Sequence, residues 1–329
     1  MSTFWTNKRV FITGITGFLG YWLAEQLLER GAIVVGLVRD CVPQSNFFRC
    51  GLGDRIITVA GALEDYALLE RTLNEYDIDT VFHLGAQTQV GVGNRSPLAT
   101  FETNIRGTWN LLEACRVHAS IVKRIVVASS DKAYGDQTIL PYTEEAPLQG
   151  SHPYDVSKSC TDLLSSTYFN TYDLPVCITR CGNIYGPGDT NLNRLIPGII
   201  TWVLKGEPVV IRSDGTLVRD YFYVKDAVNA YVMLAENMEA KAVFGEAFNF
   251  SSGLRINVLE MTKTILAVMH KPDHPVQVLN EAHGEIREQY LANDKAGRLL
   301  GWQAAHSLED ALSETVDYYS KLLVEEKQS

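Results

Sequence analysis

The stretch that decides the fold is residues 9–20, which read Arg9-Val10-Phe11-Ile12-Thr13-Gly14-Ile15-Thr16-Gly17-Phe18-Leu19-Gly20. Its apolar start, residues 9–13, predicts a buried strand, and its three glycines predict a tight turn that leads into a helix. Gly31 ends that helix, and residues 33–38 predict a second buried strand. In such a unit, glycines let the backbone approach a pyrophosphate, and free N–H groups at the helix start attract its charge. The Gly-x-x-Gly-x-x-Gly spacing therefore indicates a dinucleotide site, with a tight turn that binds no ligand as the alternative.

Strands and helices alternate along the rest of the chain. Further strands are predicted at 55–59, 80–84, 124–128 and 176–180, with helices at 66–76, 97–118 and 154–172. This alternation predicts an α/β fold with a Rossmann-type doubly wound parallel sheet. Beyond a loop at 181–189, the predicted elements are shorter: strands at 209–211, 217–224 and 247–250, and helices at 194–204, 226–236, 258–269 and 308–325.

The change in pattern near residue 181 suggests two parts. We predict an NAD(P)-binding Rossmann domain over 1–180, to which 215–240 returns. A smaller α/β C-terminal substrate-binding domain is predicted over 181–329.

Tyr154 and Lys158 are the candidate catalytic pair. If 154–172 is a helix, their side chains leave the same face, one turn apart. A nearby ammonium stabilises a phenolate, so we expect Lys158 to lower the pKa of Tyr154 from its usual value of about 10. Such a Tyr can take the proton of a sugar hydroxyl while hydride leaves the same carbon, a step that needs a nicotinamide cofactor. A Tyr-x-x-x-Lys pattern also occurs by chance on exposed helix faces, so this interpretation depends on the neighbouring motifs.

The end of the predicted strand 124–128 supplies further candidates, because ligands bind at the carboxyl ends of parallel strands. Ser130 can share or relay the proton of Tyr154, and Asp131 and Lys132 follow it directly. His83, at the end of another strand, is expected to be a hydrogen-bonded core residue, since no second metal ligand is spaced to join it.

The choice between NAD and NADP stays open. Arg39 and Asp40 follow the second strand, where an acid would bind a ribose hydroxyl and an Arg a 2′-phosphate. Arg39 could also stack on the adenine of either cofactor or form a solvated pair with Asp40.

Composition excludes several classes of function. The net charge of -10 and the lack of a basic run disfavour nucleic-acid and anionic-membrane partners. The six cysteines form no Cys-x-x-Cys pair, so we expect reduced thiols and no metal site. No apolar run reaches membrane-spanning length, and residues 1–9 lack the apolar segment of a signal peptide. We therefore expect a cytoplasmic enzyme.

Together these motifs resemble the extended short-chain dehydrogenase/reductase superfamily, in its nucleotide-sugar 4,6-dehydratase/epimerase branch. The resemblance covers nearly the whole chain. It rests on Gly14, Gly17 and Gly20, residues 82–87 (Phe-His-Leu-Gly-Ala-Gln), Asn104, Ser129-Ser130, Tyr154 and Lys158, residues 180–186, and Arg219-Asp220-Tyr221.

Within this branch, Ser130-Asp131-Lys132 is similar to the triplet of CDP-glucose 4,6-dehydratases. That resemblance implies a redox-neutral dehydration, as in polysaccharide biosynthesis. Tyr154, assisted by Lys158 and Ser130, would deprotonate the 4-hydroxyl during hydride transfer. Lys132 would then remove the C5 proton if neutral, and Asp131 would protonate the leaving 6-hydroxyl. Burial favours both neutral forms, whereas an Asp131–Lys132 ion pair, the structural alternative, favours both charged forms.

The resemblance also implies the binding residues. Cofactor-binding positions are Gly14, Gly17, Phe18, Leu19, Gly20, Arg39, Ala62, Leu63, Leu84, Ala86, Asn104, Ser129, Tyr154 and Lys158. Substrate-binding positions are Gln87, Asn183, Arg194, Arg219 and Arg287. Family members often have an Asp after the third strand to hold adenine, where this chain offers Ala62.

Three further expectations follow from the resemblance. The NAD or NADP is tightly bound and recycled, and the substrate is a sugar nucleotide, of which a CDP-hexose fits best. A homodimer forms through a four-helix bundle of 97–118 and 154–172. The alternatives are an NDP-sugar epimerase, an inactive nucleotide-bound scaffold protein, and a dehydrogenase that releases reduced cofactor.

Overall fold

The computed structural model describes residues 3–281 and 285–326. The strands in these ranges are β1 (Arg9–Thr13), β2 (Ile33–Val38), β3 (Ile57–Ala60), β4 (Thr80–His83), β5 (Arg124–Ala128), β6 (Val176–Cys181), β7 (Asn183–Tyr185), β8 (Val209–Ile211), β9 (Val218–Arg219), β10 (Tyr221–Tyr223), β11 (Ala247–Phe250), β12 (Ile256–Asn257), β13 (Val276–Val278) and β14 (Glu288–Gln289). The α-helices are α1 (Phe18–Glu29), α2 (Asn46–Arg49), α3 (Tyr66–Glu75), α4 (Val90–Arg95), α5 (Pro97–Phe101), α6 (Gly107–Val117), α7 (Pro153–Tyr172), α8 (Leu195–Lys205), α9 (Val224–Asn237), α10 (Val258–Val268), α11 (Asp294–Leu300) and α12 (Leu308–Glu326).

The central sheet has the strand order β11-β6-β5-β4-β1-β2-β3, and its neighbouring strands pair in parallel. The predicted Rossmann-type doubly wound sheet is therefore confirmed. Chain order reverses between β1 and β4, and ligands of such sheets bind at this point, beyond the carboxyl ends of the strands.

The sheet is buried on both faces because its strands are apolar at successive positions. In β1, Phe11 belongs to a core cluster with Leu69 of α3 and Leu111 of α6. Val10 and Ile12 belong to the opposite cluster, with Leu23 of α1 and residues of α9. Two layers of helices thus hold the sheet rigid beneath its carboxyl edge.

The turn after β1 depends on glycine at two positions. Gly14 has φ +72° and lies so close to the backbone of Gly85 that a Cβ would approach the nitrogen of Gly85 to 2.7 Å. A Cβ on Gly20 would clash with the carbonyl oxygen of Gly14. The first turn of α1 can therefore pack directly against the glycine-rich turn.

The predicted helix at 97–118 contains an irregularity. α5 and α6 are joined by a π-helical turn, Glu102–Arg106, which includes Asn104. Wide turns of this kind often occur at functional sites. The buried Asn104 side chain donates to Ser157 Oγ at 2.9 Å and to the carbonyl of Gln87 at 3.0 Å, so this turn fixes the segment after β4.

Other predictions of local structure need correction. The predicted loop at 181–189 contains β7, which pairs with β10. The predicted strand at 217–224 is divided into β9 and β10 at the buried Asp220. The elements α2, α4, α11, β12, β13 and β14 were not predicted.

The C-terminal part returns to the sheet over a longer stretch than predicted. Within the predicted range 215–240, α9 packs against α1 and β5. Outside it, β11 is the edge strand beside β6. The division of the chain at residue 180 stays a prediction. No helix within the described residues is both long enough and apolar enough to cross a membrane.

Candidate active site

A cavity of about 810 Å³ lies at the carboxyl edge of the sheet. It brings together predicted cofactor-binding, catalytic and substrate-binding residues. The predicted residues that line it are Gly14, Gly17, Phe18, Leu19, Gly20, Arg39, Leu63, Leu84, Ala86, Ser129, Ser130, Asp131, Lys132, Tyr154, Lys158, Asn183 and Arg194. A volume of this size is typical of cavities that bind a whole small-molecule ligand.

The glycine-rich turn forms one wall of this cavity and fits a dinucleotide. Gly14, Gly17 and Gly20 line it, and side chains at two of these positions would clash with neighbouring backbone. The backbone N–H groups at the start of α1 are therefore open to a phosphate. At the far side of the turn, Arg39 pairs with Asp40, with Nε 2.6 Å from Oδ2, and both side chains are more than half exposed.

Tyr154 and Lys158 lie in the first turns of α7, and their electrostatics are dominated by burial. Burial raises the pKa of Tyr154 to about 12, while its hydrogen bond with Ser130 acts in the opposite direction. Burial lowers the pKa of Lys158 to about 8. Lys158 Nζ donates to the carbonyl of Ala128 at 2.7 Å and lies 6.0 Å from the centre of the Tyr154 ring. The pKa of Tyr154 is therefore raised rather than lowered, so the expected direction is wrong, because desolvation of the phenolate is the largest influence on it.

The Ser130-Asp131-Lys132 triplet forms a tight 3₁₀ turn after β5. Ser130 Oγ accepts from the Lys132 amide at 3.2 Å and donates to Asp131 Oδ1 at 3.0 Å. Asp131 is 2 % exposed, and within the described residues its Oδ2 has no hydrogen bond. Lys132 Nζ lies 3.8 Å from that oxygen. The two groups are therefore electrostatically paired but too far apart for a hydrogen bond.

Two predicted positions support the cavity from outside its lining. Asn104 braces the segment after β4, as described above, and the Gln87 side chain accepts from the Gln89 amide at 2.7 Å. The fully buried ring of His83 lies 2.8 Å from Thr13 Oγ1 and 3.0 Å from Thr108 Oγ1, so it is a core residue as expected. Ala62 is also absent from the lining, where Leu63 and Glu64 stand instead.

The predicted substrate residues divide into two groups. Asn183 and Arg194 line the cavity, and Arg194 Nη1 lies 2.9 Å from Asp189 Oδ2. Arg219 and Arg287 do not line it. Arg219 pairs with Glu285 at 2.8 Å, and Arg287 is exposed, with its carbonyl bonded to the Val218 amide.

Sequence reasoning missed several polar residues at or beside the cavity, of which three have long side chains that can reach a ligand or the Asp-Lys turn. Arg95, at the end of α4, and Arg212, directly after β8, both line it. Gln289 of β14 is fully buried and bonds to Lys132 Nζ through its amide oxygen. The position of Arg212 after a predicted strand was a usable signal, whereas nothing local distinguishes Gln289. Within the described residues, no group of three or more His, Cys, Asp or Glu side chains could hold a metal ion.

Comparisons with known proteins agree with this arrangement. The sequence model described as GDP-mannose 4,6 dehydratase matches residues 11–315. The chain belongs to this family. It is thus a member of the sugar-nucleotide 4,6-dehydratases, which are NAD-dependent short-chain dehydrogenase/reductase enzymes with epimerase relatives.

Three relatives within and around the family are similar to this chain over almost their full length. The chain is 32% identical to CDP-glucose 4,6-dehydratase of Salmonella typhimurium, covering 96% of this chain and 91% of that protein. The dTDP-glucose 4,6-dehydratase of Streptomyces venezuelae, solved with NAD bound, is 28% identical with a TM-score of 0.86, covering 95% of this chain and 97% of that one. The UDP-glucose 4-epimerase of Thermotoga maritima, solved with UDP-glucose, is 28% identical with a TM-score of 0.85, covering 96% of this chain and 99% of that one.

Proposed function

We propose that this dehydratase-family protein converts CDP-glucose to CDP-4-keto-6-deoxyglucose. The observation that carries the proposal is the grouping of Ser130, Asp131, Lys132, Tyr154 and Lys158 in one cavity. Tyr154 and Lys158 suit oxidation at C4. Asp131 and Lys132 supply an acid and a base for elimination across C5 and C6. The similarity to a CDP-glucose 4,6-dehydratase supports cytidine as the base.

The residues divide the chemistry into an oxidation at C4 and an elimination across C5 and C6. Bound nicotinamide supplies the acceptor for the C4 hydride and returns that hydride to C6. Tyr154, as the phenolate that the Lys158 ammonium stabilises, takes the proton of the 4-hydroxyl through the hydroxyl of Ser130 and becomes the neutral phenol. The resulting ketone acidifies the C5 proton, which the Lys132 amine removes. Asp131 protonates the departing 6-hydroxyl, so that water leaves. When the hydride is returned to C6, the Lys132 ammonium gives its proton back to C5, so the overall reaction has no net redox change.

NAD is the proposed cofactor, bound along the glycine-rich turn and retained between turnovers. Two dTDP-glucose 4,6-dehydratase structures that this chain resembles hold NAD. The Arg39 guanidinium is already paired with Asp40. An NADP 2′-phosphate at this point would have to compete with that carboxylate and would be repelled by it.

The substrate is proposed to lie along Asn183 and Arg194, with its diphosphate near the basic side chains of that wall. Arg219 and Arg287 remain proposed diphosphate ligands. Arg219 would have to exchange Glu285 for phosphate oxygens, which offer the same bidentate geometry. We also propose that 181–329 forms most of the substrate-binding part and that the enzyme works in the cytoplasm.

Proton NMR of CDP-glucose with the protein and a trace of NAD tests the function. A new methyl signal, with loss of the C6 hydroxymethyl protons, is the expected result. Axial–equatorial exchange of a ring proton without a methyl signal would instead identify an epimerase. Consumption of NAD in stoichiometric amount would identify a simple dehydrogenase, and an unchanged spectrum with CDP-glucose and other sugar nucleotides would favour a scaffold protein.

Lys132→Ala separates the two half-reactions. Without the base at C5, we expect methyl formation to fall by a factor of about 10² or more, since a positioned general base contributes on this scale. C4 oxidation, followed as the near-ultraviolet absorbance of reduced nicotinamide, should persist. The matched control is Lys263→Ala, at a position outside the cavity lining. Methyl formation by Lys132→Ala at the wild-type rate would contradict the assigned role.

A further inference from the structure

Gln289 contacts both residues that the proposed elimination needs. It lies in β14, is 0 % exposed, and comes from a segment more than 150 residues away in sequence. Its amide oxygen accepts a hydrogen bond from Lys132 Nζ, and its amide nitrogen donates to the carbonyl of Asp131 at 3.1 Å. Both polar ends of this buried side chain are therefore used on the Asp-Lys turn.

The backbone around Gln289 is fixed independently of that turn. β14 pairs in parallel with β9, and Gln289 is opposite Arg219. The Leu291 amide donates to Asp220 Oδ2 at 3.3 Å, and the carbonyl of Tyr290 accepts from the Tyr142 amide at 3.0 Å. Gln289 is thus a rigid support, so the position of its amide oxygen determines where Lys132 Nζ can lie.

An uncharged partner suits a lysine that must act as a base. A Gln amide oxygen accepts a hydrogen bond from an amine as well as from an ammonium, so it orients either form without adding a charge. A carboxylate at this position would favour the ammonium, whose nitrogen has no lone pair for a C5 proton. Lys132 already lies near the carboxyl groups of Asp131 and Asp155, so a further acidic group beside it would matter.

We propose that Gln289 is the positioning residue for Lys132. It holds the Lys132 amine where this amine can remove the C5 proton, and it takes no part in C4 oxidation. This inference rests on the proposed dehydratase function. In the step concerned, the C5–H bond breaks and an N–H bond forms on Lys132. The C5 electron pair forms the C5–C6 double bond, and the C6 oxygen leaves as water with the proton of Asp131.

Gln289→Leu tests the positioning role, because it keeps the side-chain volume and removes both hydrogen bonds. We expect kcat for methyl formation to fall about tenfold to a hundredfold, as for a misplaced catalytic group, with KM for CDP-glucose changed less than about threefold. Absorbance of reduced nicotinamide should build up during a single turnover, since hydride leaves C4 but elimination is slow. The matched control is Gln277→Leu, an exposed position on β13, which should behave as the wild type.

Gln289→Glu gives a second readout that a purely structural role would not change. The new carboxylate favours the charged form of Lys132, so the acidic limb of the kcat profile should move to higher pH, with activity recovering there. The inference is overturned if Gln289→Leu slows C4 oxidation and elimination equally, or if the Gln289→Glu profile coincides with that of the wild type. If the wild type forms no methyl signal, the proposed function fails instead, so the two failures are distinguishable.

Discussion

Asp220 is a residue whose burial should make the stability of the whole protein depend on pH. It is 0 % exposed, and within the described residues its Oδ1 has no hydrogen-bond partner. Burial raises its pKa to about 7, and the nearby Asp131 acts in the same direction. Because the folded pKa exceeds the unfolded value of about 3.9, the folded state binds the proton more tightly. The stability that this proton provides is complete below the unfolded pKa and is lost as pH rises toward 7.

Asp220→Asn should therefore remove the free-energy cost of ionising this buried carboxyl, a cost that grows as pH rises. Between about pH 5 and about pH 8, the wild type should lose up to about 3 kcal/mol of unfolding free energy that the variant keeps. Urea denaturation at the two pH values measures this. The control is Asp214→Asn: hydrogen bonds from Thr216 lower the pKa of that exposed carboxyl, so it is ionised at both pH values and this variant should keep the pH dependence of the wild type. Parallel curves for wild type and Asp220→Asn would show that Asp220 is ionised in the folded protein.

The glycine-rich turn and α1 form an element whose geometry can be tested through packing. A Cβ at residue 20 would meet the Gly14 carbonyl oxygen, which is backbone and cannot rotate away. Gly20→Ala should therefore destabilise the protein by about 1–3 kcal/mol, the usual cost of overpacking. It should also reduce the increase in melting temperature that NAD produces, because the N–H groups of the turn would be displaced.

Gly53→Ala is the matched control for that element. Its Cβ would meet the Phe47 ring at 3.5 Å, an ordinary contact outside the cavity. We expect its melting temperature to remain within a few degrees of the wild type, with a normal response to NAD. Equal melting temperatures and equal NAD responses for the two variants would show that the close packing at Gly20 is unimportant.

The same element explains why so much of the fold was predictable. β1, the turn and α1 are encoded locally by an apolar run, three glycines and helical spacing, and the structure matches them residue for residue at β1 and β2. The π-helical turn around Asn104 was not predictable, because its residues are compatible with a regular helix and tertiary bonds to Gln87 and Ser157 determine its shape. β14 has two residues, too few for a periodic pattern.

At the scale of the whole molecule, the site combines residues whose proximity no local pattern encodes. Tyr154 and Lys158 could be paired from their spacing, and Asp131 and Lys132 from their place after a strand. Gln289 reaches them through the pairing of β14 with β9. The pKa of Tyr154 was predicted in the wrong direction for a related reason, since burial by distant segments is not visible in the sequence.

The predicted homodimer also concerns the whole molecule, because it depends on the surface that two chains present to each other. α5, α6 and α7 carry large exposed apolar side chains: Leu98, Trp109, Val117, Leu163 and Tyr172. Large exposed apolar side chains on helices that pack together commonly mark an interface, and α6 and α7 from two chains would form a four-helix bundle. Leu163→Glu would bury a carboxylate there, so sedimentation should show monomers where the wild type shows dimers. Ile139→Glu is the control, since Ile139 is 82 % exposed and lies on the loop between β5 and α7, outside the helices of the bundle. A wild type that sediments as a monomer, or a dimer that survives Leu163→Glu, would place the interface elsewhere.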